Sequence, residues 1–290
     1  MTGRRLPGLI AVAAGLLALV LPASAVAQTA SPITIGVSRT VASRALGENR
    51  TLNVILPAGY DKATAKRYPV IYLIDGGVEQ DLLHVAGVVQ LGSIWGRMGE
   101  AILVGVETRD RRRELVGKTS DPELLKKYPT AGASAAFRAF LRDEVKPLVE
   151  RHYRTSGTDV VIGESLAGLF IVETFMVEPG LFDGYAAIDP SLWWDKEALS
   201  TRAASIGSAQ RGKRLYVALA KEQLETPAAA NRVIAAARAA KSDLCVAPRP
   251  DQTHATIYQQ VEAQALQFLL PPAQAAPPEF GFEVQCSPRS

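Results

Sequence analysis

Metal ligands are scarce in this chain. It has 3 histidines and 2 cysteines in 290 residues, and His84, His152 and His254 lie far apart with no second ligand at helical offset. No Cys/His cluster has metal spacing, so no metal is expected. Charge of one sign is lacking too. The formal net charge is +3, and Arg4 and Arg5 supply two of it, which leaves 3 − 2, about +1, for the rest. That balance gives no argument for nucleic acid or for strong adhesion to an anionic membrane, and no nucleic-acid partner is expected. Internal repeats are absent, and beyond the first residues no apolar run approaches the roughly 20 residues a membrane span needs. Two cysteines do not make a disulfide scaffold. Cys245 and Cys286 allow one bridge in an oxidising compartment, or one buried and one free thiol.

The one long apolar run stands at the start. Arg4-Arg5 precede Leu9 to Leu21, and Ala23-Ser24-Ala25 and Ala25-Val26-Ala27 both read as small-x-small cleavage sites. Residues 1–27 are expected to be a secretory signal peptide. An uncleaved anchor is the alternative, but the run is short for a span and its far flank is small and polar. The mature chain is then exported, periplasmic or secreted, with no membrane span.

From Thr51 onward, short β-rich runs alternate with segments of helical period. Strands are expected at residues 51–56, 70–74, 101–106, 159–162, 185–188, 215–219 and 244–246, with an earlier one near 33–37. Several are continuously apolar, as strands covered on both faces are. Helices are expected over 133–153, where Pro147 threatens a kink, and over 166–177, 227–240 and 256–270. The alternation implies an α/β protein with a mostly parallel sheet of about eight strands and helices on both faces. One domain, 28–270, is followed by a Pro/Ala-rich tail, 271–290, read as an extended linker outside the core.

Within this alternation, Val160-Val-Ile-Gly-Glu-Ser-Leu-Ala-Gly-Leu-Phe170 runs from a strand through one serine into a helix. A serine on a strained strand-to-helix turn needs small residues two before and two after it, and these are Gly163 and Ala167. The usual pattern has glycine at the second place. The plainer reading makes Ser165 a helix N-cap. In the order serine, acid, histidine, the base is His254, the only histidine after Ser165; His84 and His152 read as surface or packing residues. The acid is expected after the penultimate strand, with Glu222 first, Glu225 second and Asp189 third, since Pro190 gives Asp189 the look of a turn residue. Oxyanion donors are expected from the Leu166 N–H and from the Gly76-Gly77 loop.

The segments VIYLIDGG, VGVETRDRRREL, IGESLAGLF and AIDPSLWWD, with the late histidine, resemble the putative-esterase family of α/β hydrolases, the esterase D and enterobactin-type siderophore esterase group. The resemblance covers residues 33–270. It implies the α/β-hydrolase fold and a cofactor-free serine carboxylic-ester hydrolase working through an acyl-enzyme on a small-molecule ester, siderophore, aromatic or acyl. The commoner elbow in that family reads Gly-His-Ser-x-Gly-Gly, so Glu164 and Ala167 depart from it. Some of its siderophore esterases are regarded as using a Ser-His dyad.

Trp193-Trp194 reads either as packing or as the lining of a substrate pocket. Arg109 to Arg113 reads either as a solvated loop or as a site for an anionic substrate. An acyltransferase with the same machinery, and a non-catalytic binding module on the same fold, are the rival functions.

Overall fold

The structure is a computed structural model that describes residue 3 and residues 30–287. The expected signal peptide falls outside the described residues apart from residue 3. The chain divides into a unit ending at Thr34 and a second, compact unit from Ile35 onward, which holds every strand and helix named below.

Eight strands form one sheet: β1 (Val37–Ser43), β2 (Glu48–Ile55), β3 (Tyr68–Ile74), β4 (Ile102–Val106), β5 (Thr155–Glu164), β6 (Gly184–Ile188), β7 (Arg214–Ala220) and β8 (Asp243–Arg249). Their order across the sheet is β1-β2-β4-β3-β5-β6-β7-β8. β1, β2 and β4 pair antiparallel at one edge, and every pairing from β4 to β8 is parallel.

The parallel strands are apolar at consecutive positions because both faces are covered. Successive side chains alternate faces, so Val70, Tyr72 and Ile74 of β3 join one core while Ile71 and Leu73 join the other. β5 divides likewise, Val161 to one side and Val160 and Ile162 to the other. Each large aliphatic side chain so buried stabilises by about 1.5–3 kcal/mol relative to exposure.

The helices are α1 (Leu82–Ile94), α2 (Arg111–Glu114), α3 (Pro122–Lys127), α4 (Ser134–Phe140), α5 (Lys146–His152), α6 (Leu166–Val177), α7 (Trp194–Thr201), α8 (Lys221–Glu225), α9 (Ala228–Ala239) and α10 (Ile257–Leu269). The helix expected over 133–153 is α4, a π-helical stretch Leu141–Val145, and α5. Pro147 is the second residue of α5, directly after the π-helical stretch. Among the described residues no helix is long and apolar enough to cross a membrane.

The tail is no free linker. After β8 and α10 the chain folds back: the Ser287 N–H donates to Val246 O of β8 at 2.6 Å, Gln285 N–H to Gln264 Oε1 at 3.0 Å, and the Phe280 ring meets Trp95 edge-on at 5.7 Å. Cys245 and Cys286 form a disulfide, Cα–Cα 5.1 Å. β8 is the outer strand of the sheet, and the tail supplies partners to an edge that would otherwise be open.

Candidate active site

The strand order sets the site. β5, β6, β7 and β8 lie side by side and parallel, so the loops after them open on one edge of the sheet, where open α/β sheets bind ligands.

Ser165 links β5 to α6 with φ 62° and ψ −117°, a backbone conformation that is costly for a residue with a Cβ, by about 1–3 kcal/mol. Its N–H donates to Ile188 O at 3.0 Å and its carbonyl accepts from Leu169 and Ser191, which fix the turn. The flanking small residues allow this. A Cβ on Gly163 would lie 2.6 Å from the Ala167 Cβ, and one on Gly168 would lie 3.0 Å from Ile188 O and from Pro190 Cα. Ala167 is accommodated because Gly163, facing it, has no side chain. Ser165 occupies the N-cap position, yet its side chain makes no capping bond. Its Oγ instead lies 3.1 Å from His254 Nε2 and 3.2 Å from Ser191 Oγ.

His254 stands in the loop between β8 and α10, tied down by the Lys221 N–H to Gln252 O bond at 2.9 Å and by its own N–H to Glu222 Oε2 at 3.2 Å. The carboxylate on its ring is Asp189, not Glu222: His254 Nδ1 to Asp189 Oδ2 is 2.6 Å. Asp189 follows β6, the strand next to that of the serine. Its φ of 40° turns the side chain toward the end of β7, where the Ala220 N–H donates to Oδ1 at 2.8 Å. Glu222 reaches only the backbone of the histidine, because α8 begins directly after β7 and its first turn lies beside the loop, not under the imidazole. Glu225, at the end of α8, pairs loosely with Lys221 at 3.9 Å. The sequence signal for Asp189 was its place at the end of an expected strand; its Pro190 neighbour gave it the look of a turn residue.

The electrostatics follow from these contacts. The hydrogen bond to Asp189 holds the His254 pKa above the ordinary imidazole value, against the effect of burial, and the charges of Asp189, Glu164 and Glu222 add to it. Glu164, beside Ser165, is raised to about 7 by burial, and its Oε1 is buried without a partner. Asp81 before α1 is raised to about 6, again by burial first and then by the charge of Asp75.

Of the expected oxyanion donors, the Leu166 N–H stands at the first position of α6, where helix geometry provides no intrahelical partner. The Gly76 N–H is committed to Val106 O at 2.9 Å, and this glycine serves close approach: a Cβ there would meet Gly105 Cα at 2.2 Å. The Gly77 N–H donates to Gln80 Oε1 at 2.9 Å, a side chain that must let go before Gly77 can bind an oxyanion.

Trp194 is buried against Tyr128, ring centroids 5.7 Å apart, whereas Trp193 is 63% exposed on the segment that begins at Ser191. The arginine run is partnered: Arg111 with Asp75 at 2.9 Å, Arg113 with Glu48 at 3.2 Å, Arg109 with Glu48 at 3.7 Å, and Arg112 over the Tyr128 ring. His152 bonds Leu148 O in its own helix, and His84 pairs with Glu262; neither approaches the serine in these contacts. Among the described residues no group of His, Cys, Asp and Glu is placed to hold a metal ion.

The arrangement is a hydroxyl, an imidazole in contact with it, and a buried carboxylate on the other ring nitrogen, the geometry of an activated nucleophile. Known proteins share the frame. The ferri-bacillibactin esterase BesA of Bacillus subtilis is 29% identical over 177 residues, 54% of this chain and 59% of that protein. A siderophore triacetylfusarinine C esterase of Aspergillus fumigatus is 25% identical over 171 residues, 51% of this chain and 53% of that protein. The chain thus spans only a little over half the length of these curated relatives. The solved structure of an IroE-like serine hydrolase from Shewanella oneidensis superposes with a TM-score of 0.70 at 25% identity, over 81% of this chain and 80% of that one. The BES protein of Bacillus cereus gives 0.71 at 19% identity, over 84% and 98%. Residues 43–261 match the family model described as "Putative esterase", and the chain belongs to that family.

Proposed function

We propose that the protein is an exported serine carboxylic-ester hydrolase that acts through an acyl-enzyme on siderophore-type or related aromatic and acyl esters. The observation that carries the reading is the Ser165–His254–Asp189 relay, 3.1 and 2.6 Å, on a positive-φ serine. Ser165 attacks the ester carbonyl as His254 Nε2 takes its proton, and that proton leaves with the alcohol. Water then repeats the step in reverse and frees the acid. Asp189 holds the proton on Nδ1 and stabilises the imidazolium. The Leu166 N–H, and the Gly77 N–H once released by Gln80, bind the oxyanion. His254 is 48% exposed, so water reaches the base, which favours hydrolysis over acyl transfer. The substrate class rests on the named relatives and on the exposed Trp193, two residues beyond the Ser191 that touches Ser165, an aromatic face for a planar ligand.

The test is a hydrolysis screen of purified protein with ferri-siderophore esters and simple aryl esters, with and without an added acceptor alcohol, beside Ser165→Ala. Acid products that vanish in the variant are expected. An alcohol-dependent ester product in their place would make it a transferase, and no turnover of any ester would overturn the reading.

A further inference from the structure

Ser191 was not singled out by the sequence, yet it lies against the reacting atom. It is buried, 2% exposed, its N–H donates to the Ser165 carbonyl at 3.0 Å, and its Oγ is 3.2 Å from the Ser165 Oγ.

The direction of that hydroxyl contact follows from counting protons. At 2.6 Å from a carboxylate oxygen, His254 Nδ1 carries the hydrogen. The neutral ring then has Nε2 as an acceptor, and it takes the single hydrogen of Ser165. Nothing is left on Ser165 to give to Ser191. Ser191 therefore donates, and the Ser165 Oγ accepts.

We propose that Ser191 is a catalytic residue that donates a fixed hydrogen bond to the nucleophilic oxygen through both half-reactions. This role rests on the esterase reading of the site. In the resting enzyme the bond occupies one lone pair of Oγ and leaves the other for the substrate carbonyl. In acylation the Oγ–carbon bond forms while the Ser165 proton passes to Nε2, and the departing alcohol carries that proton away. In deacylation water adds to the acyl carbon as Nε2 takes a proton from it; the carbon–Oγ bond breaks and Nε2 returns the proton to Oγ. The Ser191 hydrogen transfers in neither step. It stabilises the negative charge that Oγ carries while its bond to carbon is part-formed or part-broken, and burial keeps water from replacing it.

The test compares S191A and S191C with the parent by rate of fluorophosphonate labelling at Ser165, by kcat and KM on an ester the parent hydrolyses, and by Tm. Labelling needs no knowledge of the natural substrate. S191A is expected to lose roughly ten- to a hundredfold in labelling rate and in kcat, the effect of one hydrogen bond to a charged oxygen, with KM and the pH midpoint little changed. S191C keeps nearly the shape of serine but is a weak donor, so it should share most of the loss. If S191A fails to fold, S191C is the variant read. S191A labelling at the parent rate would overturn the proposal, as would S191C matching the parent, which would make the role one of shape. In either case a labelled, active parent leaves the esterase reading standing. A parent that neither labels nor hydrolyses would refute that reading and this inference together.

Discussion

Asp189 and Glu222 both touch His254, one at the ring and one at the backbone, and their contributions separate cleanly. Removing the ring partner with Asp189→Asn frees the wrong tautomer, so turnover should fall by about three to four orders of magnitude. In the proposed mechanism the base form of His254 is the active one, and Asp189 raises its pKa, so parent activity should rise with pH on a midpoint above the ordinary 6.5 or so. In Asp189→Asn the residual activity should rise at lower pH. Glu222→Gln should cost less than about tenfold and shift the midpoint slightly down, since only its charge reaches the ring. A kcat/KM profile of the three proteins checks this, and a Glu222→Gln loss as deep as that of Asp189→Asn would contradict it. Ser165 and His254 were legible because each is singular: one serine between a β-branched run and a helix, one histidine after it. The acid was not, since several carboxylates follow Ser165, and only the pairing of β6 with β7 decides which one reaches the imidazole.

At the level of elements, α1 and α10 meet through His84 Nε2 and Glu262 Oε2 at 2.6 Å. Burial lowers the His84 pKa and raises Glu262 from 4.5 to about 8, so at neutral pH the Glu262 carboxyl is largely protonated. A carboxyl whose folded pKa is raised binds more protons folded than unfolded. Its stabilisation is full below about 4.5 and is lost as pH rises toward 8, by an amount on the order of a few kcal/mol. Because the lowered His84 pKa works in the opposite sense below about 6.5, Tm should fall chiefly between there and pH 8, and Glu262→Gln should flatten the fall. Glu164 and Asp81, raised to about 7 and 6, leave a remaining slope of the same sign. Thermal melts from pH 5 to 9 check this; equal slopes in both proteins would count against it. The α6 helix matched its apolar pattern to the residue, Leu166–Val177. The α1 helix went unread because Leu82–Ile94 carries no Asp, Glu, Lys or Arg and its apolar residues are spread around the helix, which leaves no stripe to find. The first strand begins at Val37 instead of Ile33, as its register against Val54 dictates.

For the molecule as a whole, alternating β and α patterns gave the sheet, but not its order, which depends on long-range pairing. Nor did composition reveal the tail's return, since Pro and Ala predict extension and the anchors are single contacts. The Cys245–Cys286 bridge closes a sequence separation of 41 residues, worth about 4 kcal/mol on a chain-entropy argument. Reduction, or Cys245→Ser with Cys286→Ser, should lower Tm by several degrees with little effect on kcat, because the tail's recorded contacts are with β8, α10 and the end of α1 and include none of Ser165, Asp189 and His254; an unchanged Tm would show that the bridge adds nothing. The central claim is that the unusual backbone of Ser165 serves a nucleophile. Its most direct test is the mass of folded protein treated with a fluorophosphonate, followed by peptide mapping. The account predicts one adduct per chain, on the peptide containing Ser165, lost on denaturation before treatment, in Ser165→Ala, and largely in His254→Ala. Labelling that is absent from the folded parent, or that persists in Ser165→Ala, would contradict it.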